Sequence, residues 1–311
     1  MYSHLFGPVV SRRLGISLGV DIVPQKVCSL DCVYCECGPT TRLTDERKEW
    51  VRTADVISEL RGFLAGSPAL DVVTLTGSGE PTLNTGLGDV ISFLKRYFPL
   101  YKTALLTNGT LLWLPDVASA CLQFDYVLPS LDAVSGGVFT KVNRPLPGLD
   151  NNKIIRGLAE FSRRYTGNLW LEVFIVPAVN DSEEELDFLR EAIVLINPGR
   201  VQLNTLDRPG TDPSIRPSTP EELAKIAAFF QPLPVEIISR GYPPTIAQPA
   251  APDLLSMIAA TVRRRPSTVE DLSMATGKTI NEITAVLSGL LNDGTIIPES
   301  VKNRVFYKIV K

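Results

Sequence analysis

Short runs rich in Val, Ile and Leu alternate with amphipathic stretches from about residue 14 to residue 245, and this alternation most restricts the folds open to the chain. The runs lie at 16–23 (ISLGVDIV), 71–76 (DVVTLT), 102–107 (KTALLT), 125–130 (DYVLPS), 169–176 (LWLEVFIV) and 200–205 (RVQLNT), with VEIISR at 235–240 as an extension. Strand-length runs separated by helix-length spacers are the pattern of βα units around a parallel sheet. The spacers begin as helices do. Ser182 with Glu185 and Thr219 with Glu222 fit capping boxes, and Pro220 takes a first helical position. Leu186, Leu189 and Ile193 share the face that would lie on the sheet. Six such units predict an α/β fold built as a partial (β/α)6, TIM-like barrel, with chemistry collected at the C-terminal strand ends.

Residues 241–252 (GYPPTIAQPAAP) are proline-rich and uncharged, which predicts a semi-rigid linker between a barrel over 1–240 and a small domain over 253–311. In that domain Asp253 to Arg264 has helical character, Ser267 with Glu270 and Thr279 with Glu282 fit two further caps, and Asn292-Asp293-Gly294 stops the last helix. IIPE and RVFYKIV alternate as a hairpin would, so the expected plan is a winged helix. Its presumed recognition helix, TINEITAVLSGLLND, has no Lys or Arg, which argues against phosphate contact there. Arg263, Arg264, Arg265, Lys302 and Arg304 leave another face basic.

With 31 Lys+Arg against 34 Asp+Glu, no global field marks a nucleic-acid or membrane binder. Gly7, Pro8, Arg12 and Arg13 break the first apolar run, so it does not read as a signal peptide, and no later run is long enough to span a membrane. The expectation is a soluble, cytoplasmic protein with reduced thiols. His4 is the only histidine, which removes mechanisms that need two.

Four of the five cysteines fall between residues 28 and 37. In VCSLDCVYCECG, Cys28, Cys32 and Cys35 stand as C-x3-C-x2-C directly after the first predicted strand. Three thiolates can bind three irons of a [4Fe-4S] cube and leave the fourth open. A zinc knuckle completed by Cys37 is the alternative, although structural zinc usually joins two separated pairs of ligands and no second pair exists here. Cys37 is otherwise a bystander, a redox-sensitive thiol or a participant in the chemistry. Cys121, in ASACLQF, reads as a buried small hydrophobe.

With Tyr34 just before its last cysteine, this loop resembles the signature of the radical S-adenosylmethionine (SAM) superfamily. TGSGEPTL resembles that family's Gly-Gly-Glu segment, which implies that Gly79 and the peptide groups around Glu80 meet the SAM amino group. Thr107-Asn108-Gly109 and LPSLDAVS resemble the family's ribose- and carboxylate-facing strand ends, implicating Asn108, Ser130 and Asp132. Gln202 and Asn204 alternate along the sixth strand toward adenine or substrate. Plainer readings stand beside these: glycines that only turn the chain, Ser130 and Asp132 as helix starters, and Lys141 and Arg144 either solvated or holding an anion. Arg12 and Arg13 read as structural pairing residues. Glu172, a carboxylate inside an apolar strand, calls for a partner in the barrel.

The resemblance implies a [4Fe-4S] cluster and SAM as cofactors, one-electron cleavage of SAM to a 5′-deoxyadenosyl radical, and hydrogen abstraction from a substrate, with work under anaerobic conditions. It also implies an electron donor such as flavodoxin or ferredoxin. FGPVVSRRLGISLGVDIVP, CVYCECG, VLPSLDAV and KVNRP are similar to archaeal wyosine-base synthases acting on tRNA, over about residues 5–240. Those synthases carry a second cluster on upstream cysteines, and residues 1–27 here contain none. The substrate is then tRNA or a protein or peptide. A non-enzyme alternative is an iron-sulfur redox sensor that binds DNA through its winged helix.

Overall fold

The structure, a computed structural model, describes residues 2–238, 254–301 and 304–310. Strands β1 (Leu5–Ser11) and β2 (Gly15–Asp21) form an antiparallel hairpin, and the short β3 (Val27–Cys28) and β4 (Arg42–Leu43) pair within the loop that follows. After them come α1 (Thr53–Leu64), β5 (Val72–Thr76), α2 (Leu87–Tyr97), β6 (Lys102–Thr107), α3 (Pro115–Cys121), β7 (Tyr126–Pro129), α4 (Gly136–Asn143) and α5 (Asn151–Arg164). Then follow β8 (Asn168–Ile175), α6 (Glu183–Ile196), β9 (Arg200–Thr205), α7 (Pro220–Phe229) and β10 (Val235–Ile237). The main sheet has the order β1-β2-β5-β6-β7-β8-β9-β10, with every neighbouring pair parallel except β1 with β2.

The sequence runs therefore become the parallel strands of an α/β fold. Residues 239 and 240 of the last run, the linker 241–252 and Asp253 lie outside the described residues. Alternation sorts each strand into two faces. Leu18, Val20, Leu75, Leu105, Leu171, Val173 and Leu203 pack with Leu60, Leu94, Ile154 and Leu189 of the helices in one buried cluster. On the other face Ser17 and Thr74 share a 2.7 Å hydroxyl contact, and Arg13 pairs with Glu172 and lies 3.4 Å from Gln202. Glu172 thus has the partner its strand demands.

Three local expectations are corrected. Strand β1 is absent from the sequence reading because Gly7-Pro8 interrupts its pattern; a register shift between Phe6 and Val9 absorbs these residues. Helix α9 (Val269–Thr276) is capped by Thr268 with Asp271, not by Ser267 with Glu270, since Ser267 is held in a ladder by Tyr307 through bonds of 3.1 and 2.8 Å. Ser182 does cap α6, but the Glu185 carboxylate accepts from Val134 N, Ser135 N and Ser135 Oγ rather than closing the box. Thr219 and Thr279 form complete boxes.

Helix α8 (Leu254–Arg264), α9, α10 (Ile280–Asn292) and the antiparallel pair β11 (Ile296–Val301) and β12 (Arg304–Ile309) make a C-terminal unit with its own buried cluster of Ile258, Val262, Leu272, Ile283, Leu287, Leu290 and Ile296. Helices α8 and α9 lie against β1, the edge strand of the main sheet. Among the described residues no helix is long and apolar enough to cross a membrane.

Candidate cluster and cofactor site

The cysteine loop leaves the C-terminal end of β2 and is fixed from below by the turn after β5. Gly79 sits where a Cβ would stand 2.2 Å from the Val27 carbonyl oxygen, so only glycine lets the loop backbone pass this close. Glu80 N then donates to the same carbonyl at 2.9 Å. Above this anchor each of the three signature sulfurs faces an N–H donor. Leu30 N and Asn108 Nδ2 lie 3.5 Å from Cys28 Sγ, Asn143 Nδ2 lies 3.4 Å from Cys32 Sγ, and Lys26 Nζ lies 2.9 Å from Cys35 Sγ.

Burial and the nearby Glu80 carboxylate push the Cys28 thiol up to about 12, and burial with Asp132 raises Cys32 well above its usual value. Cys35 goes the other way, to about 6, through a hydrogen bond with Cys37 and the Lys26 ammonium; Cys37 rises through the same contact and burial. Cys121 is buried and without a part in the loop. Among the described residues no three His, Cys, Asp or Glu side chains converge on a point suited to a single metal ion. Sulfurs ringed by N–H donors are a fitting environment for thiolates on an iron-sulfur cluster, whose charge such bonds offset.

Two buried carboxylates organise this ring. Glu80, 2% exposed, caps the short 3-10 turn Pro81–Leu83 and accepts from Thr82 N (3.0 Å), Thr82 Oγ1 (2.6 Å), Thr107 Oγ1 (2.6 Å) and Asn108 N (2.7 Å). Asn108 is thereby held with its Nδ2 on Cys28 and on Ser29 Oγ at 2.9 Å, while its Oδ1 accepts from Thr110 N and Oγ1. Asp132, also 2% exposed, accepts from Tyr34 Oη, from Asn143 Nδ2 at 2.7 Å and from Phe174 N at 2.9 Å. Burial raises its carboxyl to about 6 against the pull of these donors. The Tyr34 ring stacks on Phe174 of β8, with centroids 3.8 Å apart and planes 10° from parallel.

Five of the residues singled out in the sequence therefore fall into two groups. Gly79 and Glu80 hold Val27 beside Cys28, and Asn108 reaches the Cys28 sulfur; Tyr34 and Asp132 join Cys32 through Asn143. Neither Glu80 nor Asp132 presents a free carboxylate, and Asp132 does not start α4, whose N-cap is Ser135. Ser130 continues β7 by donating its N–H to Thr107 O and bridges Glu172. Asn204 stands beside Phe174 on β9, its Oδ1 accepting from Thr205 N at 3.0 Å. Arg144 pairs with Asp212 at 2.7 Å and, with Asp31, lines a surface cavity of about 730 Å³; Lys141 is exposed.

Asn143 and Lys26 escaped the sequence reading. Asn143 stands in KVNRP, where an amide beside the basic residues was the available signal; it is buried, and its Oδ1 has no hydrogen-bond partner among the described residues. Arg208 also escaped it. Eight per cent exposed, it donates to Glu36 at 3.0 Å and places Nε 3.3 Å from Asp271 of α9, a charge contact without hydrogen-bond alignment.

The model of the radical SAM superfamily matches residues 22–189, which contain the loop and both carboxylate hubs. The chain belongs to the radical SAM superfamily. It is 36% identical over 269 residues to a UPF0026 protein of Helicobacter pylori, covering 86% of each chain. To a protein named GTPase Obg from Brachyspira hyodysenteriae it is 32% identical over 311 residues, 98% of this chain but only 45% of that one. Two solved structures share the fold. A radical SAM methyltransferase from Sphaerobacter thermophilus superposes with a TM-score of 0.52 at 17% identity, over 71% of this chain and 66% of that one. TYW1 with a lysine-pyruvate adduct bound does so with 0.50 at 15%, over 72% and 75%.

Proposed function

We propose that this radical SAM protein holds a [4Fe-4S] cluster on Cys28, Cys32 and Cys35 and works as an oxidoreductase- or transferase-type enzyme. The observation that carries this reading is the donor on each of the three sulfurs, within the segment that matches the family. When bound, the cluster and SAM supply a 5′-deoxyadenosyl radical for hydrogen abstraction from an inert carbon.

The chain's own residues hold and orient. Glu80 fixes the Asn108 backbone so that its amide points at Cys28, and Asp132 aims the Asn143 amide at Cys32. Tyr34, stacked on Phe174, closes the apolar wall beside Cys32, and the peptide groups at Gly79 and Glu80, with Ser130 and Asn204, are the nearby polar positions for SAM. We read the C-terminal unit, three helices followed by the β11–β12 pair, as a winged helix, and we assign 253–311 to recruiting the substrate, with 1–240 as the catalytic barrel and 241–252 as the linker.

The substrate class is tRNA or a protein or peptide, the electron donor a flavodoxin or ferredoxin, and the compartment the cytoplasm. RNA that co-purifies with the protein and survives a salt wash favours the first class. None of the relatives and structures described above is named as a DNA-binding sensor, and α10 carries no Lys or Arg. That alternative has no support.

The test is anaerobic reconstitution with iron and sulfide, reduction, and addition of SAM. The expected outcome is a cluster EPR signal that SAM perturbs and a slow release of 5′-deoxyadenosine, both lost in Cys32→Ala. Undiminished deoxyadenosine release by that variant, or a wild-type protein that loads zinc and never assembles a cluster, overturns the reading.

A further inference from the structure

Lys26 is the only lysine among the buried described residues, at 4% exposure. Its backbone is held in the left-handed region, at φ 62°, by a 2.8 Å bond from its N–H to Ser78 O and by Thr41 N and Arg42 N, each 3.1 Å from its carbonyl oxygen. A non-glycine residue rarely adopts that conformation, so the surrounding bonds impose it. The consequence is a side chain that turns inward and ends with Nζ 2.9 Å from Cys35 Sγ.

A buried ammonium ordinarily requires a carboxylate. Among the described residues Lys26 has no carboxylate at ion-pair distance, and the partner of its ammonium is the Cys35 sulfur, at 2.9 Å. Its position is therefore matched to anionic sulfur. A thiolate-bound cluster gains one negative charge when it is reduced, and a fixed cation at its edge favours the reduced form.

We propose that Lys26 sets the reduction potential of the cluster, raising it by placing its ammonium on the Cys35 sulfur. The proposal rests on the assignment of the cluster to Cys28, Cys32 and Cys35. Lys26 is a positioning residue for charge: it touches a ligand sulfur and takes no part in bond making. It lies between the strand end at Asp21 and the first ligand, where its main chain also ties the loop to the turn at Ser78.

The experiment is an EPR-monitored redox titration of the reconstituted full chain, without SAM, for the wild type and for Lys26→Met, Lys26→Gln and Lys26→Arg. Methionine keeps the length and removes the charge, and glutamine serves if methionine lowers cluster content. The expected result is cluster content like that of the wild type with a more negative midpoint in the neutral variants. At a fixed poise the ratio of reduced to oxidised cluster falls by at least about tenfold, equivalent to about 59 mV for one electron. Lys26→Arg restores the wild-type value. Equal midpoints across all loaded variants overturn the role of Lys26 and leave the cluster assignment standing. A wild type that assembles no cluster overturns both.

Discussion

At the mouth of the sheet Glu80 and Asp132 are buried against neutral hydroxyl and amide donors, whereas along the seam with the C-terminal unit Asp21, Glu36 and Asp271 are met by arginines. Saturation by several short neutral donors fixes a geometry and responds little to salt, because no separated charges are screened. The seam works through charge. Arg264 Nε donates to Asp21 at 2.5 Å with its guanidinium 4.1 Å from the Phe6 ring, Gln25 donates to Arg263 O at 3.4 Å, and Arg208 and Arg265 converge on Glu36. The cysteine loop is thus gripped rigidly by the sheet and electrostatically by the C-terminal unit. The two regions are therefore expected to differ in their response to salt and to substitution.

The largest effect that would sharpen this contrast is expected from Glu80→Ala. It leaves four donors facing a buried void, and a loss of about 5 kcal/mol in the cluster-free chain is expected from urea unfolding. A loss near that of a surface substitution would mean that water replaces the carboxylate, and the distinction between the regions would collapse.

Arg208→Met comes next. It leaves Glu36, Asp207 and Asp271 without the cation they share, which should cost about 4 kcal/mol of seam stability. The loss should appear as faster hydrogen exchange in β1 and α9 and not in β6. Added salt should act in the same direction and more weakly, since the Debye length falls from about 10 Å at 0.1 M to about 3 Å at 1 M. Exchange that rises equally in β6 would show that the seam and the mouth form a single cooperative unit.

How much of this was legible in the sequence follows the range of the interactions. The parallel strands and the three-cysteine loop are written in local periodicity and spacing, and both could be read directly. The α9 cap was misplaced by one residue because Tyr307, far along the chain, holds Ser267 in a ladder. The hub at Asp132 joins Tyr34 and Asn143 across separations of 98 and 11 residues, and the grip of Arg208 on Glu36 spans 172. No local pattern encodes those pairings. Lys26 is nine residues from Cys35, yet its side chain turns inward only through a left-handed backbone imposed by Ser78, Thr41 and Arg42. The sequence likewise placed Glu80 and Asp132 at strand ends, but it could not show that their oxygens are already taken by the protein.

The smallest of these effects is a pH dependence at Asp132, and it tests whether the mouth is as neutral as its donors suggest. Burial holds this carboxyl at about 6, above its usual 3.8, so the folded chain binds its proton more tightly than the unfolded chain does. Its stabilising contribution is therefore fully present below the unfolded value and is lost as pH rises through about 6. Asp132→Asn removes the titration and retains an oxygen for the Phe174 N–H. The stability of the cluster-free wild type relative to this variant should then fall by about 3 kcal/mol between roughly pH 3 and pH 8. Arg264 and Asp21, at the seam, are untouched by the substitution and drop out of the comparison. A relative stability that stays flat across this range would place Asp132 among fully ionised carboxylates, with Tyr34, Asn143 and the Phe174 N–H together outweighing its burial; the mouth would then carry a buried negative charge as the seam does, without the arginines.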